Sequence, residues 1–521
     1  MSRLKSILSS SCFTGLLFFT LASLYPFISF LAHNIGETYY IVSILSVWAL
    51  TFGAGVLAFL FGYHVFPKWP AKTLGVILGL CVIILFSFHH IEKVTADAGI
   101  YLGTIKILIW LGLVILACAL GFFLSKSDKI VTILTFVMLG VLLSPVSQTL
   151  IGLYNQLTHS EASIAPPEKT AASSQQITEK PNVYWIIPDM YARRDILKSE
   201  YGYDNKSFLN TLKRRDFYVA EKSYSNFNST KLSLSTTLAM EYYLPVQTEL
   251  NSMLWQNKLQ GKNAVVEKFK SMGYRYIHVE PGGNNLKTRC GGGEDLCLQG
   301  EQVGVVSLNE AHIGLMRLTP FYRITNALNL SFFSFDFTRI EDISDHVVPD
   351  ENAPFFMFAH LLSPHPPARF DNSCDYIEQT DWELLGHGSP NVDAGYVQDI
   401  KCLNDKLLTL LDWIDKNDPK AIVILQADHG SFLNTKGKKY APETIVEKSY
   451  WNTPLAIFNA YKVPKRCAKG LYPSISPVNN FPLVFSCIEN TPFQPLDDRS
   501  FIQYRKPNFE KFHEEIYEVK K

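Results

Sequence analysis

Five apolar runs fill the first third of the chain, and they restrict its fold more than anything that follows: Cys12–Leu31, Tyr39–Gly62, Leu74–Phe88, Ile105–Leu124 and Ile130–Leu153. A helix rises about 1.5 Å per residue, so roughly 20 apolar residues cover the hydrocarbon core of a bilayer. Most of the runs are near or above that length, and Leu74–Phe88 is the short one. A cleaved signal peptide would account for the first run alone, not for the four behind it. The expectation is a transmembrane bundle of about five helices over residues 1–157. Arg3 and Lys5 precede the first run, Lys68 and Lys72 sit in the second loop, and Lys126 and Lys129 in the fourth. Basic loops stay cytoplasmic, so an odd number of crossings puts everything after Leu153 outside the cytoplasm. Within the runs the one charge is Lys106, near an end, which argues against a transport path through the bundle.

Residues 158–180 are rich in Ala, Ser, Thr, Pro and Gln and read as a linker. From Pro181 the pattern becomes strands alternating with helices. NVYWIIP, FYVAEKSYS, YRYIHVE, APFFMFAHLL, AIVILQA and TPLAIFNA read as strands. Asn205–Arg215, Leu232–Met240, Ala264–Ser271 and Gly395–Lys416 read as helices. Such alternation predicts an α/β domain over 181–521, with a mostly parallel sheet and helices on both faces. Acids and bases balance at 48 each, so no polyanionic partner such as nucleic acid is indicated. Three cysteines, Cys12, Cys81 and Cys118, fall in the apolar runs. The other six, Cys290, Cys297, Cys374, Cys402, Cys467 and Cys487, all lie in the part placed outside, where disulfides persist. Sequential pairing is expected, with a zinc knuckle as the competing idea for the Cys290/Cys297 loop. The charged, aromatic-dotted end, Asp498 to Lys521, is expected on the domain surface, with no function assigned.

The chemistry collects at strand ends. AIVILQADHG is a short apolar run that stops at Asp428, His429 and Gly430. NVYWIIPDM ends in the same manner at Asp189. Open α/β sheets bind ligands beyond the carboxyl ends of their strands, and two carboxylates with an imidazole supply most of a coordination shell for one divalent cation. Zinc or manganese suits such donors, and calcium stays open. A hydroxyl whose proton the metal labilises would complete the set. Ser229 and Thr230 in NFNSTKLSL stand where a helix begins, a position that also favours a phosphoryl group. His365 lies in the loop of AHLLSPHPP after another strand and is a candidate to hydrogen-bond a phosphoryl oxygen or protonate a leaving group. His360, nearer the strand interior, reads as structural. Arg193 in YARRD could approach an anion or serve in a surface salt bridge.

This ordered set resembles the alkaline-phosphatase and sulfatase superfamily, and the helices ahead of it resemble the membrane-anchored branch. That branch includes lipoteichoic acid synthases, lipid A phosphoethanolamine transferases and the phosphoglycerol transferases of periplasmic glucans. The resemblance implies metal ligation by Asp189, Thr230, Asp428 and His429, with Thr230 as nucleophile and His365 binding substrate. It implies a bacterial inner-membrane enzyme, its catalytic domain on the periplasmic side. A phospholipid head group, phosphoethanolamine or phosphoglycerol, would pass through a phospho-threonine to an envelope glycan or glycolipid. Water as acceptor, giving a phosphodiesterase or phosphatase, and an inactive envelope sensor or assembly protein are the alternatives. No Cys or Ser stands in the C/S-x-P-x-R setting of true sulfatases, so sulfate-ester hydrolysis is not expected. Two departures stand out. Asp189 occupies a place where the transferases usually carry Glu. No His lies between His429 and His513, which points to one cation rather than two zincs.

Overall fold

The structure is a computed structural model. It describes residues 10–33, 41–91, 105–159, 179–242, 254–282, 288–300, 306–307, 310–321, 333–334, 338–350, 352–377, 391–433, 447–506 and 513–521. Most of the expected linker, 160–178, lies outside the described residues. The chain forms two compact units. Met1–Thr158 and Leu308–Phe332 make the first, and His159–Ser307 with Phe333–Lys521 the second.

The first unit contains α1 (Ser10–His33), α2 (Ile41–Val65), α3 (Ala71–Leu85), α4 (Ile105–Leu124) and α5 (Asp128–His159). Stretches of α1, α2, α4 and α5 are long and apolar enough to cross a membrane. The run expected as a fifth crossing forms α3, which is apolar but only 15 residues long, about 22 Å. Its faces are nonetheless buried through Leu74, Val76, Gly79 and Val82. Small residues bring it against α1: a Cβ on Gly75 would stand 2.4 Å from the Gly15 carbonyl oxygen. Close backbone approach at small residues is how helices pack where lipid tails offer no hydrophobic contrast. Outward-facing Leu57, Leu108, Ile115 and Phe136 are exposed, as suits an apolar solvent. A helix over Glu310–Arg317, far away in sequence, belongs to this unit, with Gly314 against the Phe30 ring.

The second unit is built on a seven-stranded sheet. Its strands are β1 (Val183–Pro188), β2 (Tyr218–Val219), β3 (Arg275–Val279), β4 (Leu296–Leu298), β5 (Phe355–Leu361), β6 (Ile422–Gln426) and β7 (Asn459–Lys462), in the order β2-β7-β6-β1-β5-β3-β4. The five strands from β6 to β4 are parallel, and β7 runs antiparallel to β6. Every residue of β1 is buried. Tyr184 and Ile186 enter one core, Val183, Trp185 and Ile187 the other. Two-sided burial is why the strand reads as a continuous apolar run. Ile400, Leu403, Leu407 and Leu411 of the long helix Val392–Asn417 cover the first face. Val266 and Phe269 of Ala264–Ser271 and Phe481 and Phe485 of Asn480–Ile488 cover the second.

Two strand expectations need correction. Thr453–Leu455 of TPLAIFNA closes the helix Lys448–Leu455, and strand pairing in that stretch starts only with bridges at Ala456 and Ile457. FYVAEKSYS pairs only at Tyr218–Val219 and at a bridge from Tyr224, because Glu221 and Lys222 turn outward at the sheet edge. The three disulfides are Cys290–Cys297, Cys374–Cys402 and Cys467–Cys487, the sequential pairing. The last strands, β8 (Phe501–Lys506) and β9 (His513–Glu518), form a separate antiparallel hairpin.

Candidate active site

Three adjacent parallel strands, β6, β1 and β5, end at one edge, and each delivers a polar group there. Past Pro188 the chain leaves β1 with Asp189, whose N–H donates to the Leu361 carbonyl of β5 at 2.9 Å. Met190 follows with a φ of 67°. This left-handed turn aims its N–H at Asp428 Oδ1, 3.0 Å away. Past Gln426, the end of β6 presents Asp428 and His429. Asp428 Oδ1 also accepts from the His429 N–H at 2.8 Å. Gly430 is required for more than a turn: a Cβ there would lie 2.2 Å from the Thr453 carbonyl oxygen.

Thr230 arrives from the first turn of α6 (Thr230–Ala239), and its Oγ1 lies 3.4 Å from His429 Nε2. The start of α6 is fastened to the end of β6, since the Ser233 hydroxyl donates to the Asp428 carbonyl at 2.6 Å. His429 Nε2 is 3.6 Å from Asp189 Oδ1 and 3.4 Å from Asp428 Oδ2. Its Nδ1 faces the Gly430 carbonyl at 2.8 Å. A carbonyl only accepts, so Nδ1 carries a proton, and Nε2 is the ring nitrogen turned toward the two carboxylates. One ligand atom each from Asp189, Asp428 and His429 lies within 4.8 Å of the others, all three residues buried.

Among the described residues, no hydrogen-bond donor reaches the buried Asp189 Oδ1 or Asp428 Oδ2. Buried carboxylate oxygens left in that state are costly unless a cation compensates them. Two such oxygens beside an imidazole nitrogen fit a divalent ion. Burial pushes the Asp189 carboxyl up, but His365, His360 and His429 around it hold it well below the usual carboxylate range. It is therefore ionised and ready to ligate.

His365 is half-buried in its loop, with Nδ1 2.7 Å from the Pro366 carbonyl. Burial lowers its pKa, and Asp189 opposes that in part. The net direction favours the neutral ring. Asp399 holds the loop, accepting from Ser363 Oγ and from the N–H groups of Arg369 and Phe370. Arg193 does not join the cluster. Its guanidinium clasps Asp195 at 2.7 Å and 2.8 Å, donates to the Ser223 carbonyl and covers the Tyr224 ring. His360, read from sequence as structural, stands 3.5 Å from Asp189 Oδ2, with Thr288 Oγ1 2.8 Å from its other nitrogen. Its position one residue before the end of β5, level with Ile187 of β1, is the signal that could have found it.

The family model described as sulfatase matches residues 181–487, more than half of the chain and all of the strands just described except β8 and β9. The chain belongs to the sulfatase family. It is a sulfatase-like enzyme, and the match spans Asp189, Thr230, His365, Asp428 and His429. None of the curated proteins compared with it matches. Among solved structures, this sulfatase-family chain is similar to lipooligosaccharide phosphoethanolamine transferase A, an integral membrane protein of Neisseria meningitidis. The identity there is 14%, with 92% of this chain and 96% of that one covered and a TM-score of 0.41. It is also similar to the periplasmic domain of EptC from Escherichia coli in complex with zinc, at 13% identity, 63% and 91% coverage and a TM-score of 0.39. A Vibrio parahaemolyticus protein of the alkaline phosphatase superfamily is 15% identical, with 63% and 73% covered and a TM-score of 0.38.

Proposed function

We propose that this sulfatase-family enzyme transfers a phospholipid head group, phosphoethanolamine or phosphoglycerol, onto an envelope glycan or glycolipid. The Thr230 hydroxyl, 3.4 Å from His429 Nε2 beside the two carboxylates, carries the reading. Asp189, Asp428 and His429, with Thr230 itself, would hold one divalent cation, zinc or manganese before calcium. When bound, the ion would offset phosphoryl charge and make the threonine hydroxyl more acidic.

The chain's own groups supply the rest. Thr230 Oγ1 attacks phosphorus, the P–O bond to diacylglycerol breaks, and the threonine proton leaves on the lipid alcohol. The positive end of α6 faces the transferred anion. An acceptor hydroxyl, giving its proton to His365, then attacks phosphorus, the P–O bond to Thr230 breaks, and that proton restores the Thr230 hydroxyl. Four membrane-length helices in the same chain support a lipid donor, since anchoring keeps the enzyme where that substrate is concentrated. In this reading α3 is the fifth crossing and the second unit lies outside the cytoplasm.

Incubating the full chain in detergent with phosphatidylethanolamine or phosphatidylglycerol tests it. Expected are one diacylglycerol released per enzyme in a first burst and a matching mass increment on the peptide holding Thr230. A glycan hydroxyl should discharge that adduct faster than water does. Thr230→Ala should lose burst, adduct and complementation of a deletion, and full complementation by that variant ends the enzyme reading. Discharge by water alone would instead assign a hydrolase.

A further inference from the structure

The C-terminal hairpin, to which sequence gives no role, grips the segment that carries Thr230. Residues 225–229 run along 499–503 bond by bond. Ser500 Oγ donates to the Ser225 carbonyl at 2.7 Å, and the Phe501 N–H to the Asn226 carbonyl at 2.8 Å. The Phe227 and Phe501 rings stack at 5.1 Å. Asn228 uses its side-chain amide as a strand uses its backbone. Its Nδ2 donates to the Gln503 carbonyl at 3.2 Å, and its Oδ1 accepts from the Gln503 N–H at 2.7 Å. The last link is Ser229, whose Oγ donates to Gln503 Oε1 at 2.7 Å.

That last bond is unusual for its position. Ser229 is the N-cap of α6, where a serine ordinarily accepts from an amide of its own helix, worth about 1 kcal/mol. No such cap bond is made here. The hydroxyl is turned instead toward the hairpin. On the other side Ser233 Oγ ties the same helical turn to the Asp428 carbonyl. Thr230 is thus held between two anchors, one on the metal-ligand strand and one on the hairpin.

We infer that the hairpin is the clamp that sets the Thr230 hydroxyl against the cluster, with Gln503 as its positioning residue. The inference rests on the assignment of Thr230 as nucleophile. Gln503 acts through Ser229, fixing where the first turn of α6 starts. A misplacement of about 1 Å can cost on the order of 100-fold in rate.

The test compares Gln503→Met, which keeps the length and removes the acceptor, with Gln503→Glu, which keeps an acceptor for Ser229. Both are made in the full chain and assayed with bis(p-nitrophenyl) phosphate as a chromogenic phosphodiester. Expected for Gln503→Met is a roughly 10- to 100-fold fall in kcat with KM and metal content unchanged, and faster amide hydrogen exchange across 228–233. Gln503→Glu should recover most of both. Wild-type kcat and exchange in Gln503→Met overturn the clamp, while faster exchange at wild-type kcat leaves a structural contact and overturns the positioning role. An equal loss in Gln503→Met and Gln503→Glu also overturns it. Thr230→Ala separates the two ideas: activity retained there removes the nucleophile assignment, and the inference with it, whatever Gln503 does.

Discussion

Asp428 divides its two oxygens between separate tasks. Oδ1 accepts from two backbone amides and fixes the β1 and β6 exits, while no donor among the described residues reaches Oδ2. Asp428→Asn preserves the first task and removes the second charge. The expected result is loss of the divalent ion on elemental analysis, with apo stability equal to or above that of the wild type, because one of two buried like charges has gone. A chelator should lower the wild-type melting temperature and leave the variant's unmoved, since an ion at 100 times its Kd adds about 2.7 kcal/mol. Equal metal content in both proteins would remove Asp428 from the ligand set. At this scale the sequence was informative about Asp189, Asp428, His429 and Thr230, because an acid or hydroxyl at the end of a buried strand or the start of a helix is visible in the pattern. Arg193 and His360 were not legible. Whether a side chain faces the cluster or a neighbouring carboxylate depends on contacts far away in sequence, such as Ser223 for Arg193 and Thr288 for His360.

The loop after β5 shows how one element positions another. Asp399, on the long helix Val392–Asn417, gathers Ser363, Arg369 and Phe370 around the turn that holds His365. Burial lifts its carboxyl to about 7, although the amide donors oppose the rise. An unfolded Asp releases its proton near pH 4. Between about pH 4 and 7 the native state therefore holds a proton that the unfolded state has lost, and this group makes folding less favourable as pH rises through that window. Asp399→Asn cannot titrate. The melting temperature of the variant relative to the wild type should accordingly climb by a few degrees from pH 4 to pH 7. A constant difference would show that Asp399 ionises at an ordinary pH. Nothing local in VDAGYVQDIKC marks this aspartate as a loop anchor. Its helical periodicity is legible, but its partners lie about 30 residues earlier.

At the scale of the molecule, the chain makes an excursion. It leaves the second unit at Ser307, contributes Leu308–Phe332 to the helical unit, and re-enters at Phe333. The exit and return are adjacent, because Val306–Ser307 pairs in parallel with Phe333–Ser334. A fragment beginning at residue 179 should therefore carry an uncovered apolar segment. Expected is detergent binding and self-association of that fragment, relieved when 309–331 is replaced by a short Gly-Ser linker. A monodisperse, detergent-free fragment that keeps the segment would show that it does not depend on the helical unit for its cover.

The sequence by itself determined the membrane-length helices, the α/β sheet and the strand ends that hold the polar groups, and it made sequential disulfide pairing the expectation, which the structure meets. Each follows from short-range information: apolar run length, the period of burial, and the ease of closing a short loop. Only the tertiary structure decided that Ser229 turns to the C-terminal hairpin while Thr230 faces His429, that Arg193 is spent on Asp195 and Ser223, and that Leu308–Phe332 returns to the helical unit. These are choices among partners hundreds of residues apart in some cases, and no local period encodes which of several available donors a given acceptor will meet.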